Sequence, residues 1–246
     1  HFQIDPTDWK TIYMVNHVGF AAKLNVETRK YNYITPTPQT ISNYSAYFDP
    51  NYKDYPIKYS IDPGEHWFFY ENTDRVKLPP QFRFNWSSPL ILSSRNVNTL
   101  YFGGNHLFKS TDKGNSWKII SPDLTRNDKS HQQSSGGIAT DNLMTFDASV
   151  LFAIAESQLE DGLIWTGSND GLVQLTRDGG KTWTDVSENI MGKPELGTIS
   201  SIEPSRHQPG TAYITVDAHQ LGDFDPYIFK TTDYGKTWKK ISEGIE

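Results

Sequence analysis

Ser110-Thr111-Asp112-Lys113-Gly114-Asn115-Ser116-Trp117 returns twice in the chain, as Thr176-Arg177-Asp178-Gly179-Gly180-Lys181-Thr182-Trp183 and Thr231-Thr232-Asp233-Tyr234-Gly235-Lys236-Thr237-Trp238. The shared pattern is Ser/Thr-x-Asp-x-Gly-x-Ser/Thr-Trp. Each copy follows a short apolar run (Leu107-Phe108, Val173-Gln174-Leu175, Tyr227-Ile228-Phe229) and leads into another (Trp117 to Ile120, Trp183 to Val186, Trp238 to Ile241). A hairpin turn between two strands accounts for every fixed position. The carboxylates of Asp112, Asp178 and Asp233 accept hydrogen bonds from backbone N–H groups of their own turns. Gly114, Gly180 and Gly235 supply the positive φ of the reversal. Trp117, Trp183 and Trp238 cover the turn with a large apolar surface. All nine residues read as structural rather than catalytic.

Around each turn the sequence forms a unit of four short strands with turn residues between them. One unit runs through 86–93, 99–103, 106–110 and 116–121. The next runs through 149–155, 163–167, 172–176 and 182–187, and the last through 199–203, 212–216, 227–231 and 237–242. The aspartates lie 66 and 55 residues apart. The excess in the first interval sits in the polar linker 122–147, which contains Ser134-Ser135-Gly136-Gly137. No amphipathic helix is evident. Four-stranded units at this period predict an all-β fold, a β-propeller whose blades bury their faces on one another.

The first segment reads as three strands, 11–16, 19–26 and 29–34. The expected blades are 9–34, 81–121, 149–187 and 199–242. Residues 35–80 read as a loop insertion, with 35–54 rich in Pro, Tyr, Asn and Ser. Ser60-Ile61-Asp62-Pro63-Gly64-Glu65-His66-Trp67 matches the pattern except at its seventh position, as a degenerate copy or a coincidence would. About four blades make a partial propeller. Its remaining blades are expected in further sequence or in a partner chain.

The repeated pattern is that of the Asp-box, or bacterial neuraminidase repeat. Further runs extend the likeness: Arg83-Phe84-Asn85-Trp86-Ser87-Ser88-Pro89, Tyr101-Phe102-Gly103-Gly104-Asn105, Ile120-Ser121-Pro122-Asp123-Leu124-Thr125 and Gly162-Leu163-Ile164-Trp165-Thr166-Gly167. With these, the chain resembles the exported bacterial proteins that carry sortilin-type propellers and are often labelled glycosyl-hydrolase-like. The resemblance is loose over 16–34 and close over 81–242. It implies a propeller and an exported location, and no established reaction.

Composition narrows the function. Thirteen Tyr, thirteen Phe and seven Trp supply ample material for sheet packing. A formal net charge of -6 argues against nonspecific nucleic-acid binding. No run of about 18 apolar residues is present to span a membrane. The absence of cysteine excludes disulfides, thiolate metal sites and cysteine nucleophiles. Beginning at His1 rather than Met, the chain reads as a mature or trimmed product. The sequons at Asn43 and Asn85 are of a kind common by chance. No cofactor motif or metal-ligand spacing appears.

In a four-stranded meander the second-to-third turns lie on the face opposite the repeat turns, together with the linkers between blades. Here those turns are Asn16-His17-Val18-Gly19, Asn105-His106, Asn169-Asp170-Gly171 and 217–226. Turn chemistry alone explains Asn, Asp and Gly, and explains the histidines less well. His17, His106, Asp170, Asp217 and His219 are therefore the candidate ligand-binding residues. Asp217, His219, Asp223 and Asp225 also permit a cation site, although an exposed acidic loop is the favoured reading.

Three function classes follow: a noncatalytic binding or scaffold module for protein or glycan, a glycoside hydrolase with paired carboxylates, and a blade set that only completes a larger assembly. The first is expected. The second needs two carboxylates about 5–10 Å apart, for which Asp141, Asp147 and Asp170 are candidates. A sialidase is disfavoured, because the chain has seven arginines and lacks the Arg-Ile-Pro run.

Overall fold

The structure, a computed structural model, describes residues 2–16, 19–37, 39–44, 82–84, 87–132 and 149–245. The degenerate repeat at 60–67, His17, Asp141, Asp147 and the Ser-Gly run at 134–137 lie outside them.

Among the described residues, sixteen strands form four antiparallel meanders of four. The first blade comprises β1 (Phe2–Asp5), β2 (Asp8–Asn16), β3 (Phe20–Asn25) and β4 (Lys30–Tyr33). The second comprises β5 (Leu90–Leu92), β6 (Leu100–Gly103), β7 (Leu107–Ser110) and β8 (Lys118–Ile119). In the third are β9 (Leu151–Glu156), β10 (Ile164–Ser168), β11 (Val173–Thr176) and β12 (Thr184–Asp185). The fourth holds β13 (Thr198–Pro204), β14 (Ala212–Asp217), β15 (Tyr227–Thr231) and β16 (Lys239–Lys240). In each, neighbours in sequence are neighbours in the sheet. Helical structure among the described residues is confined to short 3-10 turns, and no helix is long and apolar enough to cross a membrane.

The first strands contact one another in succession, β1 with β5, β5 with β9 and β9 with β13, and so line the axis. No comparable contact joins β13 back to β1 among the described residues. The arc is open.

The core lies between blades rather than within them, because each sheet has two faces to cover. Tyr13, Ala21 and Ile34 of the first blade meet Leu100, Phe102, Phe108 and Trp117 of the second. Tyr101 and Leu107 of the second meet Leu151, Ile154 and Ile164 of the third. Trp165, Val173 and Leu175 of the third meet Ile199, Ile214 and Phe229 of the fourth. Strand alternation sorts the side chains. In β14, Ala212, Ile214 and Val216 are buried, while Tyr213 and Thr215 are half-buried on the other face.

One reading needs correction. The first blade has four strands, not three: β1 pairs with β2 from Phe2↔Met14 to Asp5↔Asp8. Four residues ahead of a Pro carry too little periodicity to register as a strand. Residues 35–37 and 39–44 are without a regular strand, and this stretch packs on the second blade. Ile41 is buried and bridges Trp117 in parallel, and Asn43 both donates to the Ile119 carbonyl at 2.9 Å and accepts its N–H at 2.9 Å. This segment is a partner for the short strand β8.

Candidate functional site

The three repeat turns are built alike. In the first, Ser110 Oγ donates to Asp112 Oδ1 at 2.8 Å and accepts the Gly114 N–H at 2.8 Å. Ser116 gives its N–H to Oδ1 at 2.8 Å and its hydroxyl to Oδ2 at 2.6 Å. Thr176, Asp178 and Thr182 repeat the arrangement, as do Thr231, Asp233 and Thr237. The residue before each glycine is left-handed too: Lys113 at φ 58°, Gly179 at 72° and Tyr234 at 61°. For Asp112 and Asp233 burial works against ionisation, yet the hydroxyl and N–H donors win and hold the carboxyl below its usual range. Asp178 is held low chiefly by the Thr182 hydroxyl. A carboxylate ionised and occupied on both oxygens is a poor proton donor. Asp178→Ala is expected to lower the melting temperature while leaving ligand binding intact. Lost binding with unchanged melting would give the turn a functional role instead.

On the opposite face the linkers are tied to the second-to-third turns. Asn105 Oδ1 accepts the Arg83 N–H at 2.9 Å, and its amide donates to Asp123 at 3.0 Å. The buried Arg83 guanidinium bonds Asp123 at 2.7 Å, Thr125 and the Ser149 carbonyl. One blade further on, Asp170 accepts the Ser168 hydroxyl and the Arg126 N–H. Arg126 reaches on to the Asp170 carbonyl and Glu195. Arg126, from the linker before the third blade, thus joins that blade's Asp170 turn to the linker after it.

His106 is half-buried, with Nδ1 3.1 Å from the Ser121 carbonyl oxygen and its ring edge-on to Phe82. Burial pushes its imidazole toward the neutral form. His106 and Asp170 therefore have bonds within the scaffold that their turn positions did not reveal. Sequence reasoning also missed Arg83 and Arg126. For Arg83 the flanking Phe82 and Phe84 were the available signal, and Arg126, in a polar run, carried none.

The fourth such turn differs. Asp217 Oδ1 and Oδ2 lie 2.7 and 2.8 Å from His219 Nδ1, and Oδ1 accepts the His219 N–H at 3.1 Å. The bonds to His219 outweigh burial and hold the Asp217 carboxyl low. Past the 3-10 turn His219–Leu221, Gly222 is left-handed, and Phe224 projects with 83% of its surface exposed. Asp223 accepts the Tyr227 hydroxyl at 2.7 Å, which pushes the phenol up to about 12. The structure thus brings Asp217 and His219 together and sends Asp223 to Tyr227. Among the described residues no group of three or more His, Cys, Asp or Glu could hold a metal ion, so the cation arrangement is not formed.

A cleft of about 280 Å³ opens on the repeat-turn side, between the second and third blades. Tyr101, Lys109, Asp161, Asp178 and Lys181 line it. Its two acids do not form a catalytic couple of donor and base. Asp161 pairs with Arg95 at 3.3 Å, and Asp178 is saturated by its own turn.

No family model matches the chain, and no curated protein matches it. Solved structures do. The GH74 enzyme of Niastella koreensis superposes with a TM-score of 0.53 at 18% identity, over 98% of this chain and 29% of that one. For the GH74 xyloglucanase of Xanthomonas campestris the values are 0.54, 12%, 98% and 30%. The Dos1 propeller gives 0.52 at 12% identity, over 98% of this chain and 48% of that one. The chain therefore spans less than half the length of these structures. At such identities the likeness speaks to fold, and with the successive axial strands it makes the chain an open four-blade arc of a β-propeller.

Proposed function

We propose that the arc is a noncatalytic binding module of an exported protein, taking its ligand on the face opposite the repeat turns through the loop 217–226. One observation carries this reading. The loop holds an exposed phenyl ring, Phe224, and the exposed Asp217–His219 pair. An aromatic face flanked by hydrogen-bonding groups, mounted on two paired strands, suits a sugar ring or an aromatic-seeking peptide. The kinship of fold with GH74 enzymes supports a glycan as the ligand class. A hydrolase remains the second reading, favoured by the same kinship. Of its candidate acids, Asp141 and Asp147 lie outside the described residues, and Asp170 is bonded to Ser168 and Arg126.

The test is binding to a panel of soluble polysaccharides, xyloglucan among them, with release of reducing sugar followed in parallel. Phe224→Ala is expected to weaken binding about tenfold or more with no change in melting temperature, and His219→Ala to weaken it less. Binding untouched by both changes defeats the proposal. Sugar release abolished by a single Asp→Asn change moves the protein to the hydrolase class.

A further inference from the structure

Each of the three blade interfaces uses the same seat. The residue just past the fourth strand (Ile34, Ile120 or Val186) gives its N–H to the third strand, at Ala21, Leu107 or Val173. The next blade's repeat turn then lies over it. A Cβ on Gly114 would fall 2.9 Å from the Ile34 side chain, on Gly180 2.5 Å from the Ile120 carbonyl oxygen, and on Gly235 2.9 Å from the Val186 side chain. The arriving tryptophan completes the contact. Trp117 Nε1 donates to the Ile34 carbonyl at 2.7 Å, and Trp183 Nε1 to the Ile120 carbonyl at 2.9 Å. Trp238 keeps the packing, edge-on to Trp165, but donates to Gly235 of its own turn.

The fourth blade carries the same seat. Ile241 gives its N–H to the Ile228 carbonyl at 2.8 Å, as its three counterparts do, yet it is 37% exposed where Ile34 and Val186 are 3% and 4% and Ile120 is half-buried. The sheet face beside it matches as well. In the second blade Tyr101 pairs with Lys109 across the strands, with the ammonium 5.6 Å from the ring centre, and the third blade buries the tyrosine; Glu156 accepts the Tyr101 hydroxyl at 3.0 Å. In the fourth blade Tyr213 pairs with Lys230 in the same way, with the ammonium at 5.4 Å.

We propose that Ile241, Tyr213 and Lys230 form a docking face for one further blade of the repeat-turn type. That blade brings a glycine over Ile241, an indole N–H to its carbonyl, and a carboxylate to the Tyr213 hydroxyl. The first blade of this chain, in the same molecule or in a second copy, cannot supply these groups. Its third-to-fourth turn is Val26-Glu27-Thr28-Arg29, with neither glycine nor tryptophan, stapled by Asn25. This inference is independent of what the loop 217–226 binds.

The test compares the 246-residue chain with the same chain extended by a second copy of residues 187–245. Extension is expected to raise the melting temperature and to slow hydrogen exchange at the Tyr213 and Ile241 amides. Ile241→Asp should remove the gain from the extended chain and leave the parent's melting unchanged. Gly235→Val in the added copy alone should also remove it. An extension that changes neither melting nor exchange overturns the proposal, as does an Ile241→Asp change that lowers parent and extended chain equally. Self-association of the parent that Ile241→Asp abolishes would assign the face to a second copy and overturn it too.

Discussion

Trp117→Ala should cost about 3–5 kcal/mol of folding stability, the scale for emptying a buried aromatic site. Trp117 is 1% exposed and lies between the first two blades, 6.0 Å from the Phe102 ring. Its backbone also holds the segment 39–44: Trp117 N–H donates to the Thr40 carbonyl, and its carbonyl accepts the Ser42 N–H, both at 2.8 Å. The indole N–H that reaches Ile34 is a separate contribution of about 1 kcal/mol. Trp117→Phe should therefore recover much of the loss but not all of it. Trp183 is only half-buried, so Trp183→Ala should cost less. Equilibrium denaturation of the three variants checks the order. Equal losses at the two tryptophans would mean that burial does not set the scale.

Asp123→Ala is the second large effect. Arg83 is 3% exposed, and Asp123 is its charge partner at 2.7 Å. Removing the carboxylate takes a charge-assisted bond away from a buried guanidinium, at a cost of about 3–5 kcal/mol. Replacing the pair together, Arg83→Met with Asp123→Leu, should restore most of the stability, because both desolvation penalties vanish. Acid should act on the same pair. Burial opposes ionisation of Asp123, but the Arg83 charge and the Thr125, Asn105 and Arg83 donors prevail, so its carboxyl is held low. A depressed carboxyl stabilises fully above the unfolded-state value of about 3.9 and loses its contribution as pH falls through the folded value. Asp123→Asn should flatten the stability profile below pH about 4. A profile unchanged by that substitution would place the acid sensitivity elsewhere.

Most of the fold was legible because its signals are local. Asp, Gly and the hydroxyl residues of each repeat turn bond one another within eight residues, so their spacing survives in the sequence. What escaped depends on contacts between distant segments. The repeat glycines were read as backbone devices, and their positive φ agrees. That each is also pressed by a residue of the previous blade could not be seen, because Gly180 and Ile120 are 60 positions apart. The candidate site divides in the same way. Asp217 and His219 are two residues apart and do meet. His106 and Asp170 looked equivalent by position, yet linkers from elsewhere in the chain engage them, and nothing in Asn105-His106 or Asn169-Asp170-Gly171 encodes that.

The outermost strands β8, β12 and β16 are two residues long, and each pairs with its neighbour at only two positions. The repeat turn, rather than a long ladder, holds them in place. The rim of these blades therefore offers no extended row of unpaired N–H and C=O groups. Strands of this length cannot template a strand from another molecule, and Lys239 and Lys240 add charge at the last of them. The last three blades can thus present their rims to solvent without inviting edge-to-edge growth into fibrils.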